Sequence, residues 1–387
     1  MQGLLIFRKG NYVDQIGVKP VLLVGASVFL SVSPLIPYEI RSLMFGLLGF
    51  VLLHGKLRLT RTSVLVLWFF AGVIGSFFVV DVVSSFESGF ITLSFFYIPV
   101  CLFFGTVLSL RFTLGHYLHC LNLFMFPLTV ISLIIFALMV MFPFFPQSLP
   151  EYSFWGLQHR TLVLVNVLYA DGFLMLRNTG FANEPGVFQL FLNLALLHTL
   201  RTAQFSSFRA FVYLTAILTT GSTAGILIGI VTFFFYSPLS TKILGLFLFL
   251  IFSPFAIDPA LYHLDNKWVG SAAFDVRFMP AVNAFLTILE NPLGLGSVQY
   301  SRIMESAQIG SFDSYTQIAL RFGIFGFFIL LLLIGLLCRK DLGVAIILAL
   351  TFFAQPIWYI PVVFGLLMFG LRESARNAFQ RRLAIAS

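Results

Sequence analysis

The stretch SVLVLWFFAGVIGSFFVV, Ser63–Val80, decides the fold. No charged residue interrupts it. About 20 apolar residues in a helix cross the ~30 Å of bilayer hydrocarbon. Helix satisfies the backbone N–H and C=O groups internally, where lipid offers no partner. A lipid-facing barrel would instead show short alternating strands. Working outward, comparable runs recur on both sides. In chain order the expected spans are Pro20–Pro37, Ile40–Gly55, Thr62–Val80, Gly89–Leu110, Leu118–Pro143 and Gly186–Arg201. Phe208–Thr220, Ser222–Ser237, Thr241–Ala256, Thr316–Cys338, Leu342–Ala354 and Pro356–Leu371 complete the set. The whole chain agrees with these runs. Of its 387 residues 59% are apolar and 10% charged, too few for the surface of a soluble domain. The expected fold is an all-α polytopic membrane protein of about twelve transmembrane helices.

Charge sets the orientation. With this span map, sixteen of the 23 Lys and Arg fall on the side of the two termini, among them Arg8, Lys9, Lys56, Arg111, Arg201, Lys340 and Arg372. Basic loops stay in the cytoplasm, so both termini are expected there. The opposite, basic-poor side holds Arg41, Arg160, Arg177, Lys267, Arg277, Arg302 and Arg321. The expected organisation is 1–143 with helices 1–5, a loop at 144–185, helices 6–9 in 186–256, a large loop at 257–315, and helices 10–12 with a cytoplasmic tail in 316–387. Both loops face outward and hold most of the polar residues. Most connections in proteins are short, with a median of ~4–6 residues, so their length points to function. Thr161–Leu176, interrupted by Asn166 and Asp171, reads as extended or interfacial structure within the first loop. Phe208–Ser237 reads as two short helices meeting at Thr219–Ser222. The pI of 9.5 follows from this flanking charge and implies no nucleic-acid partner.

Four constellations carry candidate chemistry. The first is Arg177-Asn178-Thr179-Gly180-Phe181-Ala182-Asn183-Glu184-Pro185-Gly186. Asn183 or Glu184 can cap a helix that Pro185 begins. Arg177 at a membrane edge either snorkels or binds an anion, which a neighbouring helix N-terminus would favour. The second is Asp275-Val276-Arg277, followed by the turn Pro292-Leu293-Gly294-Leu295-Gly296. The third is Asp313-Ser314-Tyr315-Thr316-Gln317, leading to Arg321, Gly323 and Gly326. An arginine inside an apolar run is paired or functional, and the glycines fit close helix packing. The fourth is Thr219-Thr220-Gly221-Ser222-Thr223-Ala224-Gly225, a break or packing element. Cys101, Cys120 and Cys338 form no metal or disulfide pattern. Walker, His-Glu-x-x-His, Gly-x-Ser-x-Gly and Asp-x-Asp patterns are absent from the sequence, so no cofactor or metal is expected.

These pieces, in this order, resemble the Wzy-type O-antigen polymerase and O-antigen ligase superfamily. The resemblance runs from about Arg177 onward. It rests on Arg177–Gly180 with Asn183–Gly186, on Thr219–Gly225, on Arg277, on Pro292–Gly296, and on Ser314-Tyr315 leading to Gly323–Gly326. It implies a glycosyltransferase C-type fold in the cell inner membrane, with two long periplasmic loops. The implied partner is an undecaprenyl-pyrophosphate-linked oligosaccharide in the membrane, with a chain-length regulator and a flippase as further partners. The resemblance implies that Arg177 and Arg277 grip the pyrophosphate. Glu184 and Asp313 are the carboxylates nearest the motifs for acid–base work, and Arg302, Arg321, Asn183 and Tyr315 complete the expected substrate site. Ligase members commonly carry a histidine before the Asn/Ser-Tyr segment, where this chain has Phe312-Asp313. The expected function is therefore repeat-unit polymerisation at the periplasmic face. Ligation to another acceptor, or transport of the lipid-linked oligosaccharide, are the alternatives.

Overall fold

The computed structural model describes residues 18–33, 35–54, 60–86, 94–142, 144–145, 148–154, 157–162, 165–168, 177–202, 206–238, 242, 282–305 and 313–386. Among them the chain is mostly helical. The helices are α1 (Val18–Val32), α2 (Tyr38–His54), α3 (Arg61–Phe86), α4 (Ser94–Arg111), α5 (Leu114–Met141), α6 (Pro185–Arg201), α7 (Ser207–Thr219) and α8 (Thr223–Tyr236). A short helix α9 covers 282–290. Then come α10 (Gly296–Glu305), α11 (Ser314–Lys340), α12 (Leu342–Ala354) and α13 (Pro361–Ala386).

Arg61–Val82, Leu114–Met141 and Ser314–Lys340 are long and apolar enough to cross a membrane, and five shorter apolar helices accompany them. Large apolar side chains face outward, such as Trp68 at 75% and Phe235 at 76% exposure. Water would not tolerate so much exposed apolar surface on a monomer. Helices form at eleven of the expected spans, while Thr241–Ala256 lies outside the described residues except for Lys242. The last expected span starts late. Gln355–Ile360 is not helical, and α13 runs from Pro361 well beyond Leu371.

The all-α expectation needs one correction. The first loop folds into a four-stranded antiparallel meander, β1 (Glu151–Phe154), β2 (Leu157–Thr161), β3 (Asn166–Leu168) and β4 (Arg177–Gly180), in the order β1-β2-β3-β4. Glu151 pairs with Arg160 across β1 and β2, joined by a 2.7 Å ion pair. β4 is the first candidate motif itself. Its strand identity comes from pairing with β3, where Val167 faces Asn178 and Leu168 faces Arg177.

Helix α6 is the hub. Every residue from Pro185 to Leu197 is buried, and the helix packs on α5, α7, α8, α12 and β4. In lipid, helices associate through close packing and interhelical hydrogen bonds. Gly225 of α8 accordingly lies against Gln189 of α6, and Gly229 against Asn193. Asn193 Nδ2 donates to the Gly225 carbonyl at 3.2 Å. Helices α4 and α13 cross with backbones touching at Gly105 and Gly365.

At the bundle end away from the sheet, basic side chains close helix C-termini, where carbonyls lack partners. Arg372 Nη1 donates to Ser109 O and Phe112 O, both at 2.6 Å. Arg111 Nε donates to Leu52 O at 2.7 Å. Arg201 binds both oxygens of Asp341 at 2.7 and 2.8 Å, and Asp341 also caps α12 through the Val344 N–H.

Candidate functional site

The opposite end of the bundle holds the motifs. Helix α7 stops at Thr219 because Gly221 turns the chain with φ +58°, a conformation that favours glycine. Ser222 then caps α8 by accepting from the Gly225 N–H. The turn presents the carbonyls of Thr220 and Gly221 beyond the end of α7, and Arg177 closes them. Its Nε donates to Thr220 O at 3.0 Å and its Nη2 to Gly221 O at 3.2 Å. Asn178 stitches the same region. Its Oδ1 accepts from Ser132 Oγ of α5 and from the Gly180 N–H, while its Nδ2 donates to Thr219 Oγ1. The first and fourth constellations are therefore one unit, a strand plugged into a helix break. Two of the N–H edges of Arg177 serve carbonyl dipoles in this unit.

The chain then turns at Phe181 and Ala182 into α6. The Asn183 N–H donates to Val32 O at 3.0 Å, tying the turn to the end of α1. Glu184 takes the N-cap position in extended conformation, with Pro185 starting the helix, but its carboxylate makes no capping bond. Burial pushes its carboxyl above the usual carboxylate range, and the nearby Arg177 charge pulls it partly back. Gly186 lets the Gln355 side chain lie directly on the start of α6, since a Cβ there would come within 2.1 Å of Gln355 Nε2.

Glu184 lines a small cleft that is open at its mouth. The other walls are Ser31, Arg41, Tyr97, Asn183, Val187, Gln355, Pro356, Ile357, Tyr359 and Ile360. The non-helical segment before α13 forms one wall. Ser314 holds it by donating from Oγ to Gln355 O at 2.6 Å and accepting from the Ile357 N–H. Trp358 Nε1 donates to Gln317 Oε1 at 2.7 Å behind it.

A second break lies in α11. Gly323 has φ 67° and ψ −167° inside the helix. The Pro292–Gly296 turn docks into this break, backbone to backbone. Leu295 N–H donates to Leu320 O at 2.8 Å and Ile324 N–H to Pro292 O at 3.0 Å. A Cβ on Gly323 would come within 2.2 Å of Pro292 O, and one on Gly294 within 2.5 Å of Arg321 O. This corrects the packing role expected of Gly323. The residue makes room for another backbone by breaking its own helix. Arg321, just before the break, lies over the Tyr300 ring at 4.3 Å. Asp81 of α3 reaches the same region, accepting from Ser297 N–H and Oγ at the start of α10.

Of the expected site residues, the structure brings Asn183 and Glu184 to the cleft and sets the Arg177 charge behind Glu184. Asp313 is occupied as the N-cap of α11, accepting from Thr316 N–H at 2.7 Å. Tyr315 turns away, its hydroxyl donating to Ala349 O and its ring packed among Phe327, Phe352 and Phe353. Neither lines the cleft. Arg302 is exposed on α10, and Arg277 lies outside the described residues. Sequence reading missed Arg41, Tyr97, Gln355 and Tyr359. For Arg41 a signal existed: it is a basic residue on the basic-poor side. The others are ordinary polar residues that meet Glu184 at the cleft from distant parts of the chain. Among the described residues no three His, Cys, Asp or Glu side chains gather as a metal site. What the arrangement offers chemically is a carboxyl of raised proton affinity beside guanidinium charge, in a polar cleft at the end of an apolar bundle. Neither a family model nor a curated protein matches this chain.

Proposed function

We propose that this chain is a lipid-dependent glycosyltransferase of the inner membrane. It has about twelve spans, cytoplasmic termini and outward-facing loops. It polymerises polysaccharide by transferring glycan from an undecaprenyl-pyrophosphate carrier onto an incoming lipid-linked repeat unit. The observation that carries this reading is Glu184, a carboxyl of raised proton affinity that lines a cleft and has the Arg177 charge close by. A raised proton affinity makes a carboxylate a stronger general base. In the reaction, an acceptor hydroxyl oxygen bonds to the anomeric carbon of the donor sugar. The bond from that carbon to the pyrophosphate oxygen breaks, and the carrier leaves with the electron pair. Glu184 takes the hydroxyl proton. Guanidinium charge from Arg177 and Arg277 offsets the negative charge building on the leaving group. A cleft at the bundle end would let the polyprenyl tail stay in lipid while the sugars reach the loops.

The test is chain extension by the purified protein in liposomes supplied with one undecaprenyl-pyrophosphate repeat unit. Products longer than one unit are expected from the wild type, and none from Glu184→Ala. Arg177→Lys is expected to be poor too, because a single ammonium cannot bridge the Thr220 and Gly221 carbonyls as the planar fork does. Wild-type protein that transfers glycan only when lipid A core is added would move the reading to a ligase.

Transport of the lipid-linked unit is the second reading. A seam of buried polar groups inside the bundle favours it. Asn122 Oδ1 accepts from Tyr213 OH at 2.6 Å, Asn193 Nδ2 donates to Gln189 Oε1 at 2.8 Å, and the His119 and His198 rings meet at 3.2 Å. Movement of the lipid-linked unit across the same liposomes without extension would establish it.

A further inference from the structure

The cleft that holds Glu184 has a second charged wall, and it comes from the opposite end of the chain. Arg41 sits in the first turns of α2 and is only 4% exposed. Putting a guanidinium inside an apolar bundle is costly, so its placement needs a reason. Part of the cost is met locally. Arg41 Nε donates to Ile36 O at 2.7 Å and Nη2 donates to Ser33 O, both carbonyls of the α1–α2 connection. These bonds hold the group at the cleft wall and stop it from snorkelling to the surface. Three helices, α2, α6 and α13, begin at or within a turn of this cleft, through Arg41, Glu184 and Ile360. Helix starts carry unpaired N–H groups and a partial positive charge. The wall around Arg41 thus favours an anion. The cleft is also lined by Tyr97 and Tyr359, with ring centroids 6.3 Å apart, and by Gln355. An aromatic face with an amide beside it suits a sugar ring, and a guanidinium suits phosphate oxygens.

We propose that this cleft is a glycosyl-phosphate subsite in which Arg41 binds the phosphate oxygens of the lipid-linked donor and Tyr359 packs on its first sugar. The proposal rests on the glycosyltransferase reading for its substrate. It adds that helices α1 and α2, which lie outside the motif-bearing part of the chain, build the site. Arg41 becomes a binding residue of the cleft that Glu184 also lines, with the Arg177 charge near that carboxyl.

Binding is measured with undecaprenyl pyrophosphate on the purified full-length protein in nanodiscs, and extension on the same preparations. Arg41→Gln keeps a donor for the loop carbonyls and removes the charge, and Arg41→Lys keeps the charge without the fork. Lys340→Ala, at the other end of the bundle, is the control. The expected result is about tenfold weaker binding for Arg41→Gln, the loss of ~1.4 kcal/mol of interaction. Arg41→Lys is expected between Gln and wild type, and Lys340→Ala unchanged. Thermal unfolding of each variant shows whether it is folded, and the comparison is made between folded variants. Competition by inorganic pyrophosphate supports a phosphate contact, whereas competition by undecaprenol alone overturns it in favour of tail binding. Folded Arg41→Gln that binds and extends like wild type sinks the subsite while leaving the enzyme reading intact. Wild type that binds, in an Arg41-dependent way, yet never extends keeps the subsite and sinks the polymerase.

Discussion

Replacing Gly323 by alanine tests the docking of the Pro292–Gly296 turn into α11. The backbone at Gly323 has φ 67° and ψ −167°, a region that residues with a Cβ occupy at a cost of ~1–3 kcal/mol. The added methyl would also meet Pro292 O at 2.2 Å and the Leu293 carbonyl carbon at 2.5 Å. Both are backbone atoms that cannot rotate aside. Relief requires the turn to back out, breaking the Leu295–Leu320 and Ile324–Pro292 hydrogen bonds, each worth ~1 kcal/mol net. The expected loss is about 3–5 kcal/mol. The control is Gly335→Ala in the same helix, where a Cβ would meet nothing within 4 Å and alanine gains ~0.5–1 kcal/mol of helix propensity. Gly294→Ala strikes the same contact from the other side, so the double variant should lose less than the sum of the two. The assay is thermal unfolding of the purified protein in detergent, read as loss of the monodisperse peak. Gly323→Ala melting at or above the wild-type temperature would refute the docked-turn reasoning.

Asp81→Ala should cost about 2–4 kcal/mol, because a buried carboxylate accepting two bonds is lost and α10 loses its cap. Ser297→Ala, which removes only the 3.1 Å hydroxyl bond, should cost ~1 kcal/mol, and equal effects in the same melting assay would contradict the capping role. Glu184 gives a pH signature. Because burial raises its carboxyl in the fold, the native chain holds that proton at higher pH than the unfolded chain. The contribution is therefore fully present below the ordinary carboxylate value of ~4.3 and is lost as pH rises through the raised one. The melting temperature of Glu184→Gln should gain on that of wild type across this window, and a difference that stays flat with pH would show the carboxyl to be unperturbed.

What the sequence determined by itself is local in origin. Hydropathy over ~20 residues places a helix because each residue in lipid must close its own backbone bonds, so Ser63–Val80 declares α3 without reference to any neighbour. The break at Gly221 and the helix start at Pro185 are equally local, set by one glycine's freedom and one proline's fixed φ. The charge pattern also set Arg41 apart as one of few basic residues on the side expected to hold Arg177, and Arg41 shares a cleft with Glu184. Tertiary structure decided the rest. Arg177-Asn178-Thr179-Gly180 is a strand only because β3 pairs with it. Asp313 reads in sequence as a carboxylate for acid–base work and in the fold is the N-cap of α11. Arg177 finds Gly221 across 44 residues and Asp81 finds Ser297 across 216, and the cleft joins the start of α2 to Glu184 and Tyr359. Such meetings depend on which helices pack side by side. In lipid that choice is made by close shape fit and by satisfying buried polar groups, quantities that belong to pairs of surfaces and have no signature in either segment alone.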